Sequence, residues 1–307
     1  MDIFIQQIIN GLVLGSIYAL VALGYTMVYG IMGLINFAHG EVVMIGAMVA
    51  LMVIKLLANS GLPVFLIILI ALAAAAAVCM AVGYTIERIA YRPLRRAPKL
   101  APLITAIGVS IILQNLAMLI WGRNYHAFPP ILPTSQHEIF GATITSLQVA
   151  IVLIAALMMT GLIILIHYTR LGRAMRATSE NPPIAQLMGV NINQIISFTF
   201  IIGSALAAVA GLMVSANYSI AHYYMGFMLG LKAFTAAVLG GIGNIAGAVL
   251  GGILLGLIES LGAGYIGDLT GGFLGSHYQD IFAFFVLICV LIFRPSGLIG
   301  EKVSERA

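Results

Sequence analysis

Long apolar runs separated by short polar clusters set the pattern of this chain. The runs cover about residues 3–28, 42–58, 63–86, 100–121, 147–167, 195–216, 227–259 and 278–293. A helix needs roughly 20 apolar residues to cross a hydrocarbon core, so most of these runs predict one crossing each. Runs 42–58 and 278–293 are short for a crossing, whereas 227–259 is too long for one and is interrupted by glycines. Continuous stretches such as LIILIALAAAAAVCMAVGY exclude a transmembrane barrel, whose strands alternate over about ten residues. The pattern predicts an all-α, polytopic helical membrane protein of about eight spans plus broken or re-entrant helices, with residues 1–307 as a single transmembrane domain.

Composition agrees: 62% of residues are hydrophobic, 8% are charged, and mean hydropathy is +1.10, where a soluble domain carries about a quarter charged residues. The opening MDIFIQQIINGLVLG lacks a basic n-region and a small-residue cleavage site, so it reads as the first span and not as a removed signal. Cys79 and Cys289 fall inside predicted spans. They offer neither a disulfide framework nor metal-ligand spacing, and read as small buried hydrophobes.

Most of the 14 Lys and Arg fall in three stretches: Arg88, Arg92, Arg95, Arg96 and Lys99; Arg170, Arg173 and Arg176; Arg294, Lys302 and Arg306. The positive-inside rule assigns all three to the cytoplasm. The segment from Trp121 to Ser146, with Pro129, Pro130 and Pro133, is then external. Parity requires an odd number of crossings after residues 195–216. One crossing plus an intramembrane hairpin satisfies this, built from two half-length segments that meet at Gly240, Gly241, Gly243 and Asn244, with 262–278 returning outside. Run backwards, the same parity places the N-terminus outside.

Charges are costly at the bilayer centre, so buried ones line a cavity or pair internally. Glu87 directly precedes Arg88 and reads as one half of an interfacial ion pair. Glu259 reads as a solvated residue near the opposite face. Glu41 lies in NFAHGE, which reads as a helix interruption, with Asn36 and Gly40 tolerating left-handed backbone. The plainer reading is an interfacial loop in which Asn36 or His39 caps the helix from Val42 and Glu41 complements its dipole. In GGIGNIAGAVLGGILLG, Gly243, Gly247 and Gly251 share small-xxx-small spacing, as do Gly252 and Gly256, and close helix packing explains them. NFAHGE and GGIGN together form a pair of interrupted segments in the two halves of the chain, the pattern of a possible inverted repeat with the pathway at its interface.

The loop TRLGRAMRATSENPPIAQLMGVNINQ, residues 169–194, holds a third feature. Arg173 and Arg176 lie one turn apart, Asn181 with two prolines breaks that helix, and IAQLMG restarts a short one ending at Gly189, a C-cap residue. Basic residues here can simply fix topology. They do not account for Ile184, Leu187 and Met188, an apolar face outside the membrane that needs something to dock into.

No GxxxxGK[ST] occurs, so the chain has no Walker A site. No catalytic triad or zinc spacing stands out, no residue is assigned a catalytic or metal-binding role, and nothing points to nucleic acid. The partners readable here are membrane lipid and, if ATP drives the protein, a separate ATPase.

GYTMVYGIMGLINFAHGEVVMIGA, IERIAYRPLRR, GRAMRATSEN and KAFTAAVLGGIGNIAGAVLGG, in this order over about residues 8–300, closely resemble the permeases of branched-chain amino acid ABC importers, nearest the shorter, H-type subunit. The resemblance implies a bacterial inner-membrane heterodimer with a second, homologous permease. It also implies two cytoplasmic ATPase subunits, which bind ATP and Mg in place of any cofactor in this chain, and a periplasmic protein delivering leucine, isoleucine or valine. Importers of this kind dock a coupling helix onto each ATPase, often with an EAA-x(3)-G pattern. Ala185 and Gly189 match its last Ala and its Gly, while Pro183 and Ile184 stand where Glu and Ala would be.

The reading that follows is alternating access. Gly172, Arg173, Arg176, Asn181, Ala185, Gly189 and Asn191 are the candidate ATPase-coupling residues. Asn36, His39, Gly40, Glu41, Gly240, Gly241, Gly243 and Asn244 are the candidate path residues, meeting a zwitterionic substrate transiently. The competing reading is a stand-alone secondary transporter in which His39 and Glu41 relay protons.

Overall fold

Each apolar run becomes helix in the computed structural model of the chain, which describes residues 2–95, 97–98, 100–130, 135–139, 141–271, 279–294 and 296–300. The helices are Asp2–Met32 (α1), His39–Leu57 (α2), Val64–Thr85 (α3), Leu100–Trp121 (α4), Ser146–Tyr168 (α5), Arg170–Glu180 (α6), Pro182–Leu187 (α7), Ile192–Tyr218 (α8), Met225–Gly240 (α9), Ile245–Leu269 (α10) and Gln279–Phe293 (α11). Among the described residues seven of them, α1 to α5, α8 and α10, are long and apolar enough to cross a membrane, and α9 and part of α11 are shorter apolar helices. The all-helical class expected from the runs is what forms. Among the described residues strands form two short antiparallel pairs: His126–Ala127 (β1) with Ile220–Ala221 (β4), and Gln136–Ile139 (β2) with Ala142–Thr145 (β3). Arg96, Lys99, Lys302, Arg306, Pro133 and residues 272–278 of the expected external return lie outside the described residues.

Phe65 on α3, Ile104 and Leu119 on α4 and Leu157 on α5 are all more than two-thirds exposed. Rows of large apolar side chains facing outward on helices of this length suit lipid and not water.

The chain divides into two compact units. One comprises Met27–Leu132 and Met158–Leu231. Its core is α2, α3 and α8, which pack on one another. Backbones touch here: a Cβ on Gly211 would lie 2.2 Å from the Val43 carbonyl oxygen, and one on Gly46 2.7 Å from Ala208 Cα. Without a hydrophobic drive between helices in lipid, such close approach is what binds them.

The other unit comprises Met1–Thr26, Pro133–Leu157 and Lys232–Ala307. Two glycine rows on α10 face different neighbours. Gly252 and Gly256 meet Ala19 and Gly15 of α1, while Gly247 and Gly251 meet Gly240 and Ala236 of α9. The packing role expected of these glycines is borne out. A Cβ at Gly256 would stand 2.2 Å from the Gly15 nitrogen. Gly256→Val is expected to force α1 from α10 and to cost about 1–3 kcal/mol, the usual penalty of overpacking, read as a lowered unfolding midpoint in detergent.

The expected hairpin of two half-length arms is corrected. The break falls at the glycines, but α9 has 16 residues and α10 has 25. The turn is also fastened to the segment after α11. Leu298 N–H donates to Leu239 O at 2.9 Å, Ile299 N–H to Gly240 O at 3.0 Å, and Asn244 Nδ2 to Ile299 O at 3.2 Å. It therefore shares the end of the unit where α11 finishes, and α9, α10 and α11 run alternately up and down. At 1.5 Å per residue α9 is about 24 Å long, short of a hydrocarbon core of about 30 Å. At the other end, Gln6 of α1 exchanges hydrogen bonds with the Thr143 backbone, 2.8 and 3.1 Å, so the N-terminal end of α1 lies beside β3 of the segment read as external.

Candidate functional site

The segment 169–194 folds as two short helices with well-made ends. Thr169 caps α6 by accepting from Gly172 N–H at 3.0 Å. Asn181, in extended conformation, closes α6 and caps α7 through Oδ1, which accepts from Ile184 N–H at 3.2 Å. Gly189, at φ +86°, takes the left-handed position after α7. Val190 N–H then reaches Ala185 O and Gly189 N–H reaches Gln186 O, both at 3.0 Å, the Schellman pairing. Asn191 caps α8 through Gln194 N–H at 3.2 Å. Of the predicted coupling residues, Asn181, Gly189 and Asn191 thus build the corners of this segment. Gly172 has no room for a Cβ, which would lie 2.2 Å from Ile166 O.

Ala185 is buried beneath α7, whereas Ile184 is 56%, Leu187 87% and Met188 81% exposed. Arg173 and Arg176 are exposed on α6, and Arg176 reaches back to His167 O at 3.5 Å. The segment therefore presents an apolar knob beside a basic strip on rigidly capped helices. Gly189→Ala is expected to cost about 1–2 kcal/mol, the penalty of a left-handed residue with a Cβ, and to loosen α7 locally, seen as faster amide exchange of residues 184–190.

At the interruption between α1 and α2 the left-handed residue is Gly33, at φ +63°, and neither Asn36 nor Gly40 is left-handed. Gly40 is helical, and a Cβ there would stand 2.3 Å from Gly226 O. α2 starts at His39 without a side-chain cap, so neither Asn36 nor His39 caps it as expected. Buried Asn36 instead accepts from Ala38 N–H at 3.2 Å and from Tyr91 OH at 2.9 Å. Glu41 does more than face the helix dipole. Its Oε1 accepts from Gln114 Nε2 at 2.7 Å and Ser110 Oγ at 3.1 Å, both on α4, and its Oε2 has no hydrogen-bond partner among the described residues. Glu41 and His39 are both buried to within 2%. Ser110 and Gln114 are not among the residues predicted from the sequence, although they form an i, i+4 polar pair on a span whose other polar residues are Thr105 and Asn115.

The second cluster is spent largely on the α9–α10 turn. Gly241 and Gly243 sit at φ +112° and +95°, Gly240 packs on Gly247, and Asn244 caps α10 by accepting from Gly247 N–H at 3.0 Å.

Two carboxylates differ from expectation. Glu87 is fully buried, and its ion pairs are with Arg92, at 3.0 Å, and Arg95. Neighbouring Arg88 turns to Tyr84 instead, because side chains adjacent in a helix face apart. Glu259 is not solvated: it is 1% exposed, pairs with Lys232 at 2.7 Å and accepts from Tyr18 OH at 2.9 Å, while Lys232 also lies 2.8 Å from Asp280. Among the described residues no group of three or more His, Cys, Asp or Glu is arranged to hold a metal.

The profile of the family described as "Branched-chain amino acid transport system / permease component" matches residues 7–291. The chain is 49% identical to the high-affinity branched-chain amino acid transport system permease protein BraD of Pseudomonas aeruginosa, over 99% of this chain and 98% of that protein. It is 45% identical to the corresponding permease protein LivH of Escherichia coli K12, over 99% and 97%. A fructose import permease protein of Bifidobacterium longum is 25% identical over 75% of this chain and 67% of its own length. No solved structure gives a significant match. A non-catalytic, multi-pass transport subunit is what these matches describe, and a stand-alone proton-coupled carrier is not. With a family profile over nearly the whole length and full-length relatives near half identity, the chain belongs to the permease family of branched-chain amino acid transport systems.

Proposed function

We propose that this chain is one half of the translocation path of an ATP-driven importer for leucine, isoleucine and valine in a bacterial inner membrane. It pairs with a second, homologous permease, two cytoplasmic ATPase subunits and a periplasmic amino-acid-binding protein. Residues 1–307 act as one permease domain whose segment 169–194 is the coupling element. The observation that carries this is the exposed apolar face of α7, Ile184, Leu187 and Met188, set on a doubly capped turn. An apolar knob of this size outside the spans is satisfied by a partner's groove.

Closure of the ATPase pair on ATP moves α6 and α7, the spans rock, and the path opens outward to receive substrate. Hydrolysis resets it inward. Gly172, Arg173, Arg176, Asn181, Ala185, Gly189 and Asn191 form the coupling surface and its supports. Asn36, His39, Gly40 and Glu41, with Gly240, Gly241, Gly243 and Asn244, belong to the path, where amide and backbone groups meet the zwitterion briefly. Tight binding there would defeat release, so selection falls to the delivering protein. That a fructose import permease is 25% identical to this chain over 75% of this chain's length supports that division of labour.

Reconstitution tests the reading. Vesicles holding this chain, the second permease and both ATPases, with ATP inside and the binding protein outside, are expected to accumulate labelled leucine. Omitting the ATPases abolishes uptake. Uptake by this chain alone under a proton gradient would overturn the reading.

A further inference from the structure

Bonded both to the start of α8 and to the α1–α2 interruption is a stretch of irregular helix. Residues Ile86–Tyr91 form a π-helical turn and Arg92–Leu94 a 3₁₀ turn, where Pro93 cannot continue the ladder. Such turns recur where a helix must re-aim its side chains for function. Two side chains of this stretch face in informative directions.

Glu87 looks toward the start of α8. Besides its pairs with Arg92 and Arg95, it accepts from Ser197 Oγ at 2.7 Å, and Arg92 donates to the same hydroxyl at 2.9 Å. Arg95 also donates to Asn193 Oδ1 at 2.5 Å. Asn193 is the second residue of α8, whose cap Asn191 follows directly on the Gly189 turn that ends α7. One buried carboxylate thus fastens the basic stretch to the helix that α7 leads into.

Tyr91, one helical turn further on, also packs on α8 and reaches the α1–α2 interruption as well. Its hydroxyl donates to Asn36 at 2.9 Å and its ring lies 5.5 Å from that of Phe200, two turns into α8. Asn36 in turn holds the Ala38 N–H, at the entry to α2 and three residues before Glu41. Glu87, Ser197, Tyr91, Phe200, Asn36 and Ala38 are nearly or fully buried, whereas the arginines, Asn191 and Asn193 are not. The two sets of bonds are joined through the backbone of the π-helical turn from Glu87 to Tyr91, and all lie in one compact unit.

We propose that Glu87 and Tyr91 are positioning residues of the transport cycle: the π-helical turn that carries them transmits displacement of α7 and the start of α8 to the interruption at Asn36, and so to the first turn of α2. This rests on the reading of α7 as the ATPase-docking helix. Interposed packing does not by itself demonstrate coupling; a relay in series has a signature that packing lacks, because breaking either link has the effect of breaking both.

The test uses the reconstituted complex with Tyr91→Phe, Ser197→Ala and the double variant, measuring basal ATPase, ATPase stimulated by the loaded binding protein, and substrate moved per ATP. Tyr91→Phe keeps the ring on Phe200 and removes only the hydroxyl. Basal ATPase is expected to stay within twofold of wild type. The stimulated-to-basal ratio and the substrate moved per ATP are expected to fall about three- to tenfold, the size of one buried hydrogen bond. The double variant is expected to fall no further than the worse single. Wild-type ratios in Tyr91→Phe, losses that multiply in the double, or basal and stimulated rates falling in equal proportion would each overturn the proposal, the last leaving Tyr91 a merely structural residue. Failure of the docking reading itself shows elsewhere, as unchanged ATPase assembly when the α7 face is made acidic.

Discussion

Glu87→Ala is expected to cost about 3–5 kcal/mol, a severe loss for the truncation of a single side chain. Removing one partner of a buried ion pair leaves the other charge uncompensated, which is far more costly than the pair was stabilising. Glu87 has no exposed surface, and Arg95 retains only 18% of its side-chain exposure. The alanine variant strands that guanidinium, half-strands Arg92, and leaves Ser197 only the Asn193 carbonyl as acceptor. Glu87→Gln keeps the shape and one acceptor oxygen while losing the charge, and is expected to fall between alanine and wild type. Unfolding in mixed detergent micelles measures both. An alanine variant within about 0.5 kcal/mol of wild type, the range of an ordinary surface change, would mean that the buried triad contributes nothing.

Leu187→Asp with Met188→Asp is expected to have the opposite profile, leaving the chain folded and abolishing its work. Both side chains are more than 80% exposed, so their replacement leaves stability within about 0.5 kcal/mol. On a docked α7 they are the central apolar anchors, where hot-spot truncations cost at least about 2 kcal/mol each. Two charges placed in such a groove add a desolvation penalty. Co-purification of the ATPase subunits and leucine uptake are both expected to drop at least thirtyfold, the factor that about 2 kcal/mol represents, with the second permease still bound. Assembly at wild-type level in this variant would remove α7 as the docking element.

The helices were legible because apolar runs about 20 residues long have few other uses. The corners of residues 169–194 were legible too, since Asn181 before two prolines and Gly189 after an apolar turn carry their mechanism in their chemistry. What the sequence concealed were partners distant along the chain. Glu87 read as a mate for Arg88, yet its bonds go to residues five, eight and 110 positions away. Glu259 read as solvated because nothing local to it signals Lys232 or Tyr18. The glycine in NFAHGE suggested backbone freedom, whereas Gly40 is small for the sake of Gly226 and the freedom is used at Gly33. Likewise the long glycine-broken run suggested an intramembrane hairpin of two half-length segments, and only the hydrogen bonds from residues 298 and 299 show where the turn is held.

The most direct test is site-specific photo-crosslinking from position 187 in the assembled transporter. If α7 is the helix that closure of the ATPase pair on ATP displaces, a crosslinker replacing Leu187 gives a single protein adduct, with an ATPase subunit, and its yield changes between the ATP-bound and nucleotide-free states. Adducts with lipid or with the periplasmic binding protein, or an ATPase adduct indifferent to nucleotide, would contradict it.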